Sequence, residues 1–207
     1  MCFSAASSFT AAGGLALLGG ASLAAARKED KILAAIPFMF AIQQACEGIQ
    51  WLYLYSGSTS LFMAYAFLFF AFLLWPAYVP FTVFMLDKKE RKLLSGFVFL
   101  GIVVAVYFLA MLLTQHLAIG RYDACIDYRI NLPFRELMVP AYLIAIIGSL
   151  LVSSIRIFKW YGVAIGLLGI IAWLFFVMTF TSVWCFFAAI VSSMFFLYVR
   201  QKNKTAS

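Results

Sequence analysis

Apolar residues run along this chain in long blocks separated by short polar breaks at 27–31, 56–60 and 87–92 and a longer one at 114–136. A helix of about 20 residues, rising 1.5 Å per residue, spans the hydrocarbon core of a bilayer. The blocks therefore predict seven helices, at 5–26, 32–55, 61–86, 93–113, 137–157, 161–180 and 181–200. The last two come from a charge-free run, 161–199, that is too long for one ordinary crossing and fits two joined by a tight turn near 179–182. Pro76 and Pro80 lie four apart in the third block; each lacks an N–H and crowds the preceding turn, so a kink or break is predicted there. In the first block Ala12, Ala16, Gly20 and Ala24 recur every four positions, a small-residue ridge suited to close helix packing in lipid.

Composition agrees with lipid as the solvent: of 207 residues, 66% are hydrophobic and only 11% charged, and the mean hydropathy is +1.02. Soluble domains carry about 25% charged residues. The fold class predicted is an all-α integral membrane protein, a seven-transmembrane-helix bundle forming one domain over 1–207, with the bilayer as its partner. The net charge of +7 is not a nucleic-acid signal, because no basic patch is interleaved with exposed aromatics. It reports orientation. Twelve of the 15 Lys and Arg lie in the first, third and fifth connections and the tail, and only Arg121, Arg129 and Arg135 fall on the other side. The positive-inside rule then predicts an inner-membrane protein with its N-terminus outside and its C-terminus cytoplasmic. The first block lacks a basic segment before it and is expected to remain a span.

Candidate chemistry concentrates in the second helix, where Gln43, Glu47 and Gln50 share one stripe with Gln44 and Trp51 close by. Glu47 is the one acidic residue inside a predicted span, about 12 Å from the helix end near Tyr55. A charge at that depth costs ~2–3 kcal/mol or more, so such a residue faces a cavity or a partner. Either it serves a site, or in protonated form it locks helices together through the glutamines. The protonated form is expected unless a cation, a metal, His116 or an outer-loop arginine holds it ionised. Gly48 leaves room for a neighbouring helix or a ligand, and Cys46 reads as a packed thiol. Cys2, Cys125 and Cys185 all map to the outer half, where a disulfide between two of them is expected. His116, the sole histidine, ends the fourth span on that side. Cys2, Glu47 and His116 are weak metal-ligand candidates, since no CxxC or His pair supplies a ready-made site. The loop through Glu136 is a solvated connection or a lid.

Met1-Cys2-Phe3-Ser4-Ala5, Ser8-Phe9, Ile36-Pro37, and Gln43-Gln44 with Glu47-Gly48 and Trp51 resemble a bacterial family of multi-pass membrane proteins that begin Met-Cys-Phe-Ser and have no settled activity. The resemblance implies that Cys2, Gln44, Glu47 and Trp51 belong to a recurring pattern and that the N-terminus and second helix meet at one site. Three function classes remain. The first is an outward-facing site that binds or transports a small ligand or ion through Gln43, Gln44, Glu47, Gln50 and Trp51. The second is a membrane-embedded enzyme with Cys2, Glu47 and His116 as catalytic candidates. The third is a structural or assembly subunit. A retinal protein is disfavoured because the last span holds no lysine for a Schiff base, and one histidine excludes the histidine-rich, metal-dependent seven-span hydrolases.

Overall fold

The apolar blocks become helices because only a helix satisfies every backbone group within one lipid-exposed segment. The computed structural model describes residues 4–123 and 125–204. Among these, seven helices are long and apolar enough to cross a membrane: α1 (Ala5–Ala25), α2 (Lys28–Tyr55), α3 (Leu61–Leu86), α4 (Arg91–Thr114), α5 (Arg135–Val152), α6 (Arg156–Phe175) and α7 (Val177–Lys202). Their number, length and apolar composition are those of a multi-pass membrane protein. Between α4 and α5 a hairpin of β1 (Ala118–Tyr122) and β2 (Cys125–Arg129) pairs antiparallel, with Ala118 opposite Arg129 and Tyr122 opposite Cys125.

Two predicted spans are displaced. The fifth span, expected to reach 157, stops at Val152, and the sixth, expected over 161–180, runs from Arg156 to Phe175. The early stop has a polar cause. Ser153 Oγ donates to Asp87 at 2.7 Å, and the Ser154 N–H and hydroxyl donate to it at 2.5 and 2.8 Å. Donors that find a carboxylate on a neighbouring turn no longer need a continuing helix. At the far end of α6, Phe176 (φ −137°, ψ 40°) leaves helical geometry, and α7 opens with a 3₁₀ turn, Val177–Thr179.

The predicted break near Pro76 is a local widening. Residues Phe69–Leu74 form a π turn, and the Trp75 N–H bonds back to the Phe70 carbonyl, five residues earlier. In that register the Ala71 carbonyl faces Pro76, which has no N–H to give. Tyr142 of α5 supplies the missing donor, its hydroxyl 2.7 Å from the Ala71 oxygen. Helix α5 carries its own π turn, Ile144–Gly148, just beyond Tyr142. Two widened helices thus meet through one tyrosine.

The packed face of α1 is also not the predicted ridge. Ser8, Ala12, Leu15, Gly19 and Ser22 are buried, whereas Gly20 and Ala24 are exposed. A strict spacing of four drifts about 40° per step around the helix, while alternating steps of four and three keep to one face. At Gly19 the approach is backbone to backbone: a methyl group there would sit 2.5 Å from the Phe38 nitrogen of α2.

Polar clasps gather the loops at one end of the bundle. Lys202 Nζ lies 2.8 Å from both Asp30 oxygens, joining the end of α7 to the start of α2. Asp87 joins the α3–α4 turn to the α5–α6 turn. The hairpin occupies the opposite end. Asp123 (φ 52°) makes its tight turn in the left-handed region that Asp tolerates. Leu117, Cys125, Ile126 and Asp127 are buried, and the Tyr128 ring stacks on Phe67 at 5.0 Å. The hairpin therefore folds back onto the bundle and does not stand in solvent.

Candidate functional site

Two features lie side by side in the half of the bundle beneath the hairpin. The first is the polar cluster of α2. Gln43, Gln44, Glu47, Gln50 and Trp51 are all fully buried, at 0% exposure. Ser182 of α7 donates to Glu47 Oε1, and the Gln44 amide donates to Oε2 at 3.4 Å. Both partners are neutral. The Gln43 carbonyl accepts from the Trp75 indole N–H of α3 at 2.8 Å, and the Gln50 carbonyl accepts from the Ser60 N–H at 3.3 Å. The stripe thus ties α2 to α3, α7 and the α2–α3 loop. Trp51 packs with Ala5 and Ile126 beneath the hairpin, and the Arg121 guanidinium lies 5.7 Å from its ring. Space beside Gly48 is filled by Phe9 of α1, whose ring carbons lie about 3 Å from where a methyl would stand. Among the described residues Gln43 Nε2, Gln44 Oε1 and Gln50 Nε2 have no hydrogen-bond partner, so polar capacity remains in the cluster.

The second feature is a cavity of about 590 Å³. Its rim carries Asp127, Arg129, Asn131 and Arg135, and its floor reaches Phe72, Trp184 and Cys185. Over the eight residues from Val177 to Cys185 the wall descends about 12 Å. Aromatic rings form that wall in sequence: Phe72 stacks on Phe108 at 4.5 Å, Phe108 meets Tyr142 edge-on at 6.0 Å, and Tyr142 meets Trp184 at 5.8 Å. Trp184 is held by its indole N–H, which donates to the Ile165 carbonyl of α6 at 2.9 Å. A smaller space of about 30 Å³ shares Tyr142, Trp184 and Cys185 and continues between Phe40, Ile146 and Ile165. At the rim, Arg129 Nε lies 2.8 Å from Asp127 Oδ2. Burial pushes the Asp127 carboxyl above its ordinary value, and the Arg129 charge offsets this only in part.

The residues expected to bind a ligand are together, but none of the five lines the cavity; Cys185, on the cavity floor, lies within electrostatic reach of Glu47. His116 is exposed at the end of α4. Cys2, and with it the expected meeting of the N-terminus with Glu47, lies outside the described residues. Cys125 and Cys185 are free thiols, so the bridge expected between such outer cysteines is not formed by this pair. Burial removes the incentive: each thiol packs among apolar neighbours on a different element. Among the described residues no three His, Cys, Asp or Glu side chains group as metal ligands. Sequence reasoning missed Phe72, Phe108, Tyr142 and Trp184. In a chain with 18% aromatics, only Pro76 and Pro140 hinted at where helices widen to admit a space.

A model of the family described as a family of unknown function (DUF6629) matches residues 1–207. No curated protein and no solved structure matches the chain.

Proposed function

We propose, starting from the fact that the chain belongs to the DUF6629 family, that this membrane protein binds a small amphipathic molecule in the cavity beneath the hairpin. The carrying observation is the cavity itself. Its volume, about 590 Å³, falls in the ~300–1,000 Å³ range of small-molecule sites, and it joins an ionic rim to an aromatic interior. The Glu47 cluster serves as the rigid polar backing of the cavity floor at Cys185. Amide capacity at Gln43 and Gln44 that no described residue uses leaves that backing able to receive a polar group or ion. The hairpin end faces outward, because 12 of the 15 basic residues gather at the other end.

The same burial favours a second role for Glu47. A carboxyl at 0% exposure that bonds α2 to α7 is a brace, whatever else it does. An enzymatic reading through Cys2, Glu47 and His116 has less support, since His116 is exposed while the Glu47 cluster is fully buried.

The test is thermal unfolding in nanodiscs with and without C16 carboxylate, alcohol or trimethylammonium probes. A ligand that binds only the folded state raises Tm in proportion to its occupancy. At least one probe should stabilise the native protein, and filling the cavity with Val139→Phe and Thr181→Phe should abolish that rise. Equal stabilisation of the filled variant would defeat the proposal.

A further inference from the structure

The polarity of the cavity changes along its depth, and that gradient specifies a ligand class. Arg129 and Arg135 stand at the rim against one carboxylate, Asp127, so the rim carries a net positive charge. The Asp127 side chain is 3% exposed while that of Arg129 is 66% exposed, which leaves the guanidinium's outer face available. Arg135 is exposed and makes no ion pair among the described residues. Below the rim the walls are aromatic, and the smaller space extends them toward Ile146 and Ile165.

A free inorganic anion would satisfy the rim but leave the aromatic walls unfilled. A quaternary ammonium would suit the rings but meets two arginines on the way in. A neutral hydrocarbon would leave the guanidinium groups unused. The cavity's flank gives the route of entry: Trp173, Val177 and Met178 line it and are 46–50% exposed on the apolar outside of the bundle. A molecule already in the bilayer can pass there without crossing water.

Resting on the binding role proposed above, we infer that the occupant is an anionic single-chain lipid taken from the surrounding leaflet. Its carboxylate or phosphate head lies between Arg129 and Arg135, and its chain runs along the Phe108–Tyr142–Trp184 wall. Guanidinium groups are suited to such heads because their planar fork matches two oxygens at once. A cavity within the range of small-molecule sites holds one chain and not the two of a diacyl lipid.

The experiment reads fluorescence in a Trp160→Phe, Trp173→Phe background, which removes the two exposed tryptophans and leaves the buried Trp51, Trp75 and Trp184, of which Trp184 lines the cavity. A further Trp184→Phe variant, which should lose the saturable part of the quenching, assigns the signal to it. The protein sits in nanodiscs of neutral lipid, and chain-brominated C16 carboxylate, alcohol and trimethylammonium are added as quenchers. The carboxylate should saturate the quenching at a mole fraction about tenfold lower than the other two, the scale of one charge-assisted hydrogen bond. Arg135→Gln should erase most of that preference while leaving the alcohol curve in place, and adding Arg129→Gln should erase the rest. Arg135 makes no ion pair among the described residues, so its substitution breaks neither of the ion pairs the structure describes. Three probes saturating at the same mole fraction would overturn the anion assignment while leaving the cavity's binding role standing. A carboxylate preference that survives both substitutions would overturn it as well. No saturable quenching by any probe would remove the binding role, and this inference with it.

Discussion

Replacing Asp87 by Asn should destabilise the protein strongly at neutral pH and less in acid. The Asp87 side chain is 1% exposed and accepts five hydrogen bonds on two oxygens. Oδ2 takes Ser153 Oγ and the Ser154 N–H, while Oδ1 takes the Ser154 hydroxyl and the N–H groups of Lys89 and Glu90. Asn offers one acceptor and one NH₂ group. If the NH₂ replaces Oδ2, the Ser154 N–H is left facing a donor; if it replaces Oδ1, those of Lys89 and Glu90 are. Serine hydroxyls can turn and accept, but backbone N–H groups cannot. With hydrogen bonds to a charged group worth ~1.5–3 kcal/mol each, the loss should be about 2–4 kcal/mol. Burial alone would push the Asp87 carboxyl up, yet the bonds from Ser153, Ser154 and Glu90 outweigh it and hold the carboxyl below its ordinary value. A carboxyl depressed in the folded state contributes stability above its unfolded pKa, and that contribution is lost as pH falls through the folded value. Unfolding of wild type and Asp87→Asn should therefore be compared from pH 7 down to about 3, below the ordinary Asp value of ~3.9. The gap should be full at pH 7 and shrink below pH 4. A gap under 1 kcal/mol at pH 7, or one unchanged at pH 3, would refute the assignment of these bonds to an ionised Asp87.

Two further outcomes follow from the brace and the charge split. Glu47→Gln should unfold within ~1 kcal/mol of wild type, because a glutamine can still accept from Ser182 and can donate to Gln44 Oε1, which has no partner among the described residues. Glu47→Leu strands both donors and should cost ~2–4 kcal/mol. Equal losses in calorimetry would show that the carboxyl does something an amide cannot. Cysteines placed at Ser58 and Ser207 should be labelled by an impermeant reagent from opposite sides of the membrane, Ser58 from outside; labelling from one side would refute the orientation.

Seven apolar blocks, their polar breaks and the lopsided placement of Lys and Arg are properties of short stretches, and the chain alone determined them. A residue's transfer free energy into lipid depends little on which helix lies next to it, so hydropathy carries the spans. The stripe of Gln43, Glu47 and Gln50 was likewise legible, because helical periodicity puts i, i+4 and i+7 on one face whatever surrounds them. What that stripe touches was not. Ser182 lies 135 residues from Glu47 and is one hydroxyl among many, and only packing selects it. The early end of α5 depended on a carboxylate contributed by another turn. The α1 ridge was misplaced because several small-residue stripes exist on that helix, and the approach of Phe38 to Gly19 decided which one is packed. The cavity is the extreme case. It is the volume left over where the π turn of α3, the α5 tyrosine that caps its spare carbonyl and the back-folded hairpin fail to close on one another. Absence of packing is a property of the whole arrangement, written in no single segment, and so it was the tertiary structure that decided where the cavity lies.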